Sequence, residues 1–181
     1  RKYIEKNYVV EADWSAASFW YEIAALSKNC NIKLNDLSKN SIQKDHLIAD
    51  IFKILGIKSI FKNNSVSIKK DNPISLPEEI NLINTPDLYQ PLKCTLFGLN
   101  KKCTITGLST LKYKESDRVK SIKKELLKIS SNKTQLNTYE DHRMAMSLAP
   151  LCLQYGALQI NNPDVVKKSY PNFWKDLEKA G

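Results

Sequence analysis

Strand-length and helix-length apolar patterns alternate along this chain, and that alternation restricts it to helices packed on sheets. Residues 7 to 11 alternate enough for a strand, and Asp13 then caps a predicted helix running through Ser15, Ala16, Ala17 and Ser18 to about Ser27. Its small residues permit close packing. A strand is expected from Cys30 to Leu34. Leu47, Ile48, Ile51, Ile54 and Leu55 fall on one helical stripe that Gly56 ends, and two strands follow, Ile57 to Phe61 and Val66 to Lys70, joined through Lys62-Asn63-Asn64-Ser65. The order so far is strand, helix, strand, helix, strand, strand.

After a proline-containing connection, Asn72 to Pro77, the order begins again. Glu79 to Ile83 reads as a strand, and Thr85-Pro86-Asp87 precedes a helix from Leu88 to about Leu99 whose first turn accommodates Pro91. Lys102 to Gly107 is the next strand. The stretch Lys114-Glu115-Ser116-Asp117-Arg118 then opens a helix with Val119, Ile122, Leu126 and Ile129 on its apolar face and Lys120, Lys123 and Lys124 outside it. Only Ser130 to Tyr139 separates that helix from another, predicted from Asp141 to about Tyr155, which leaves no room for a second pair of strands. A strand from Ala157 to Ile160 and a short helix from Pro171 complete a predicted α/β fold, read as one domain over residues 1–181.

With 181 residues, 42% of them hydrophobic and 26% charged, the chain has the material for a substantial core, and disorder is excluded. A net charge of +9 favours anionic partners without choosing among nucleic acid, acidic lipid and small phosphorylated metabolites. The lysines are scattered rather than clustered with arginines or aromatics, which argues against a specific nucleic-acid surface. Cys30, Cys94, Cys103 and Cys152 are widely spaced in apolar stretches, a pattern expected of reduced, buried thiols in a cytoplasmic protein rather than of disulfides or a zinc site. No apolar run approaches the roughly 20 residues of a membrane span. The chain starts with Arg and runs almost at once into a strand pattern, so it reads as part of something larger.

Among 28 basic residues only Arg1, Arg118 and Arg143 are arginines, so the internal two need a reason. Arginine grips a carboxylate or phosphate through a planar fork, where lysine offers a flexible point charge. Both follow acids at predicted helix starts, where free backbone N–H groups and the dipole favour anions, and together they point to an anion site. The plain alternative is a pair of surface ion pairs. Asp87 is placed either to cap a helix or to accept a hydrogen bond from a substrate hydroxyl and act as its base. Glu115 is either an ion-pair partner on a helix surface or a carboxylate held among cations that moves a proton. His142 is a candidate donor or proton carrier, while His46, beside an apolar stripe, reads as structural or surface. No metal-ligand spacing, glycine-rich phosphate loop or nucleophile elbow is present.

Five segments in order resemble the EPSP synthase family, the 3-phosphoshikimate 1-carboxyvinyltransferases, in its C-terminal half: Tyr8-Val9-Val10-Glu11-Ala12-Asp13-Trp14-Ser15-Ala16-Ala17-Ser18, Pro86-Asp87, Lys114-Glu115-Ser116-Asp117-Arg118, Asp141-His142-Arg143-Met144-Ala145-Met146 and Lys168-Ser169-Tyr170-Pro171. The resemblance implies one domain of an inside-out α/β barrel, built from repeated βαβαββ units around buried helices. It implies transfer of the enolpyruvyl group of phosphoenolpyruvate to the 5-hydroxyl of shikimate 3-phosphate, with no metal or organic cofactor. By the same resemblance Asp87 holds the ring hydroxyls and helps deprotonate the attacking one, Lys114 binds that substrate, and Glu115 gives a proton to the methylene carbon. Arg118, Arg143 and Lys168 grip phosphoenolpyruvate with His142 beside them, Lys168 counting with Asp87 and Glu115 among the catalytic groups.

Two departures accompany the resemblance. Thr110 stands where the family usually has Asn, keeping a hydrogen-bonding group of shorter reach. The segment 130–139 is too short for the hairpin that the family places there, so either the hairpin is lost or residues are absent from the sequence; the second is the expectation, because losing a hairpin bares a sheet edge. The family's N-terminal domain, which supplies the rest of the site, is the expected partner, and this chain alone is expected to be inactive. The rival readings are a UDP-N-acetylglucosamine enolpyruvyl transferase and a basic nucleic-acid-binding module; no membrane role is expected.

Overall fold

The structure, a computed structural model, describes residues 3–7 and 9–180. Helix α1 (Trp14–Leu26) is capped by Asp13, whose carboxylate accepts the Ser15 N–H at 2.8 Å. Its buried residues cover every face, as expected of a helix enclosed by other elements. Strand β1 (Asn31–Asn35), helix α2 (Ile48–Ile54) and strands β2 (Ile57–Lys62) and β3 (Ser65–Lys70) follow, forming an antiparallel sheet in the order β1-β3-β2. The β2–β3 turn is made by Asn63 and Asn64, both with positive φ, as a two-residue hairpin turn requires.

The second half contains β4 (Glu79–Asn81), α3 (Tyr89–Gly98), β5 (Thr104–Thr106), α4 (Arg118–Ser130), β6 (Gln135–Leu136), α5 (His142–Leu148), α6 (Cys152–Tyr155), β7 (Gln159–Ile160) and α7 (Phe173–Lys179). Two parallel ribbons, β4–β5 and β6–β7, are separate from the first sheet, which packs on α1 and α2. Helix α1 packs on α3 and α3 on α5, within a core that includes Trp14, Tyr21, Leu92, Cys94, Met144 and Leu148. Gly107 closes β5 at φ +77, where a Cβ would lie 2.2 Å from the Ile83 nitrogen. The chain can therefore fold tightly back over β4 before entering the turn that leads to Lys114. Among the described residues, no helix is long and apolar enough to cross a membrane.

Several expectations need correction. The strand over 7–11 is not formed at 9–11: Val9 and Val10 are 86% and 78% exposed, and Tyr8 lies outside the described residues. The segment is tied to the sheet's end by one bond, Ala12 N–H to Asp36 O at 2.8 Å, and without a ladder an alternating sequence has nothing to pair with. The helix expected over 141–155 is three pieces, because Pro150 lacks the N–H and crowds the preceding turn; residues 149–151 form a 3-10 turn between α5 and α6. Of the four cysteines expected to be buried only Cys94 is; Cys30 and Cys103 are partly exposed and Cys152 is exposed, although all four are free.

The short connection at 130–139 closes cleanly. Asn132 takes φ +58, the Lys133 N–H reaches back to Lys128 O at 2.9 Å, and the chain passes directly into β6.

Candidate active site

Asp87 lies in a 3-10 turn, Pro86–Leu88, immediately before α3. Lys114 and Glu115 precede α4 rather than belong to it, because Asp117 is the cap and Arg118 the first helical residue. Asp141 caps α5, so His142 and Arg143 fill its first two positions. Lys168 ends a 3-10 segment, Pro163–Lys168, that packs against α5. The backbone N–H groups invoked for anion binding are partly taken by these caps: Asp117 accepts the Lys120 N–H at 3.2 Å, and Asp141 the Arg143 N–H at 2.9 Å. The cations, rather than the helix ends, are left to define the site.

Arg118 is at its centre and is 2% exposed. Its Nε donates to Asp141 Oδ2 at 2.8 Å, Nη1 to Asp87 Oδ1 at 2.8 Å and Nη2 to Glu115 Oε2 at 2.6 Å. The surface ion pair offered as the plain alternative is thus a buried guanidinium held by three carboxylates. Asp87 also meets Lys114 Nζ at 3.3 Å and Arg143 Nη2 at 3.5 Å, and Lys168 Nζ donates to Glu115 Oε1 at 2.5 Å. His142 Nδ1 is 3.9 Å from Glu115 Oε1, too far for a hydrogen bond. The structure therefore brings Asp87, Lys114, Glu115, Arg118, His142, Arg143 and Lys168 together. Thr110 is left out: it is exposed in the turn Ser109–Tyr113, and among the described residues none of the cluster's hydrogen bonds involves it.

The charges tune one another. Burial alone would raise the Glu115 carboxyl, but the hydrogen bond from Lys168, its own backbone N–H and the Arg118 charge together pull it down to about 2. His142 is lowered by burial and then by neighbouring Arg143, so it is neutral at pH 7. The site holds two paired carboxylates on a base of cations, able to accept a proton at Asp87 and to hold an anion among Lys114, Arg118, Arg143 and Lys168.

Sequence reasoning missed two carboxylates. Asp141 is fully buried, accepts from Ser116 Oγ at 3.1 Å, from Arg118 and from the Arg143 N–H, and so ties the starts of α4 and α5 together. The signal was present, an acid directly before a His-Arg pair, but it read only as a helix start and a member of a motif. Asp45 accepts a hydrogen bond from Ser15 Oγ, and burial raises its carboxyl, with Arg143 opposing that rise and Asp87 adding to it. Nothing in the local sequence marks it. His46 is structural as expected, with Nδ1 2.7 Å from Gln43 O and its ring edge-on to Trp14.

Known proteins resemble this chain over almost its whole length. The sequence profile of EPSP synthase (3-phosphoshikimate 1-carboxyvinyltransferase) matches residues 1–177. A 3-phosphoshikimate 1-carboxyvinyltransferase from Bacteroides fragilis is 39% identical over 96% of this chain and 47% of its own length. One from Methanoregula boonei is 30% identical over 98% of this chain and 46% of its own length. The first match extends over 194 positions against 181 residues here, so that relative carries residues this chain lacks within the match. An EPSP synthase structure from Acinetobacter baumannii superposes with a TM-score of 0.69 at 20% identity, covering 95% of this chain and 46% of that one, and shows the fold. The chain spans about half the length of the curated relatives it matches, and it belongs to the EPSP synthase family.

Proposed function

We propose that this chain is the C-terminal domain of an enzyme that moves the enolpyruvyl group of phosphoenolpyruvate to the 5-hydroxyl of shikimate 3-phosphate, yielding EPSP and phosphate for aromatic amino acid synthesis. The observation that carries the reading is the convergence of Asp87 and Glu115 on the buried Arg118 guanidinium, with Lys114, Arg143 and Lys168 gathered on those two carboxylates. Asp87 takes the proton of the attacking hydroxyl as its oxygen bonds to C2 of phosphoenolpyruvate, and Glu115 protonates C3, giving a tetrahedral intermediate. Phosphate then leaves, taking up the proton held by Asp87, while a C3 proton returns to Glu115, which regenerates the double bond and both carboxylates. Lys114 holds the phosphorylated acceptor. Arg118, Arg143 and Lys168 hold the carboxylate and phosphate of the donor, where fixed charges stabilise the addition.

An N-terminal domain of the same enzyme completes the site in this proposal, and the chain by itself is inactive. A cytoplasmic location belongs to the same reading, supported by four unpaired cysteines. The test is an assay of a family-length protein containing this chain, with shikimate 3-phosphate and UDP-N-acetylglucosamine as alternative acceptors. Phosphate release is expected with the first acceptor alone. Turnover of the nucleotide sugar only, or oligonucleotide binding that survives about 200 mM salt in place of turnover, would sink the proposal.

A further inference from the structure

Glu115 is placed as a ligand would be. Its two oxygens bridge Arg118 Nη2 at 2.6 Å and Lys168 Nζ at 2.5 Å, spanning a guanidinium and an ammonium as the carboxylate of a small acid, or two oxygens of a phosphate, spans such a pair. Lys168 is otherwise solvent-facing, and its head is drawn in by this carboxylate. The charged groups facing Glu115 are Arg118 on α4, Lys168 on the 163–168 segment and His142 on α5, with Asp87 and Asp141 sharing Arg118 from behind.

We propose that Glu115 is the internal occupant of the anion subsite formed by Arg118 and Lys168, and that an incoming carboxylate or phosphate displaces it. Arg118 spends four of its five N–H groups on Asp141, Asp87 and Glu115, so an anion can engage that guanidinium through two parallel bonds only by removing one of the three carboxylates. Asp141 is fully buried and caps α5, and Asp87 is pinned among Lys114, Arg118 and Arg143. Glu115, on the turn before α4 with a quarter of its side chain exposed, is the one free to swing out. Displacement strips it of the partners that lower its pKa and leaves burial, which acts the other way. Binding of the anion thus turns a carboxylate that cannot release a proton near neutrality into one that can carry one. That catalytic consequence rests on the role proposed above for Glu115; the displacement itself does not.

The experiment uses a family-length protein with 13C-labelled glutamate carboxyls, the Glu115 signal being identified by its loss in Glu115→Gln. Without anion its titration midpoint is expected near 2, and with saturating phosphoenolpyruvate it is expected at or above the ordinary carboxylate range. Calorimetry with inorganic phosphate is the second arm. Glu115→Gln should bind it about tenfold more tightly than wild type, while Glu140→Gln, which removes the same charge from an exposed neighbour of Asp141, should change it less than about twofold. A midpoint that stays depressed under saturating anion overturns the proposal, as does equal phosphate affinity in the two variants. Absent turnover with shikimate 3-phosphate would count against the enzymatic reading alone and leave these two measurements standing.

Discussion

Arg143 keeps 12% of its side chain exposed and reaches Asp87 only at 3.5 Å, whereas Arg118 is 2% exposed with a carboxylate at 2.8 Å or closer on each edge. Replacing Arg143 by Lys removes a fork that fixes geometry but strands no buried charge. A family-length Arg143→Lys enzyme is expected to melt as wild type does and to lose about 2–4 kcal/mol of transition-state stabilisation in kcat/KM. Arg118→Leu leaves Asp141, fully buried, without its cation, and should destabilise the fold itself by about 3–5 kcal/mol in urea unfolding. Equal melting temperatures for the two variants would contradict the reading that Arg118, unlike Arg143, also holds the fold together. The sequence showed that both arginines were exceptional among lysines. It could not separate them, because burial depends on which carboxylates the fold brings from elsewhere in the chain.

Helix α1 carries a second kind of buried charge problem. Glu22 is fully buried with no hydrogen-bond partner among the described residues, and desolvation raises its carboxyl well above 4.5. The folded chain therefore holds a proton that the unfolded chain gives up above about pH 4.5. This group's contribution to stability is complete below that unfolded value and is lost as pH rises towards the folded one. Glu22→Gln keeps the shape and removes the titration. It should match wild type in urea at pH 4 and exceed it increasingly up to pH 8; a constant difference across that range would contradict the buried-proton reading. Glu115 has the opposite sign, its stabilisation being present above the ordinary carboxylate value and fading as pH falls towards 2. Elements with a one-sided pattern or a clear stop were legible: α4 from its apolar face, α2 from Gly56, and α1 from Asp13 and its small residues. The strand at 7–11 and the helix through Pro150 were misread for different reasons. A strand exists only if a neighbour offers it a ladder, and a helical apolar pattern continues past a proline that the backbone cannot follow.

At the scale of the molecule, three small sheets accompany a set of helices, and the starts of α3, α4 and α5 meet at Asp87, Arg118 and Asp141. That meeting was readable only as a list of motif residues, since spacing in sequence says nothing of which helix ends converge. In the first sheet, β1 is paired with β3 on one side, and its outer edge borders a cavity of about 810 Å³ shared with α1 and α7. Exposed Val9 and Val10 stand just before α1, on a segment joined beyond the end of β1 by the bond from Ala12 N–H to Asp36 O, and among the described residues no strand pairs with the outer edge of β1. In concentrated solution such an edge is adhesive: its free N–H and C=O groups offer a template to any extended segment of a neighbouring molecule, with Lys33 as the one charged side chain on β1 to discourage it. Light scattering of the 181-residue chain should therefore show association that grows with concentration, and Val10→Lys should suppress it. The handling properties of the protein, its solubility limit and its tendency to form clusters on storage, would then be set by five residues of one strand that take no part in the chemistry.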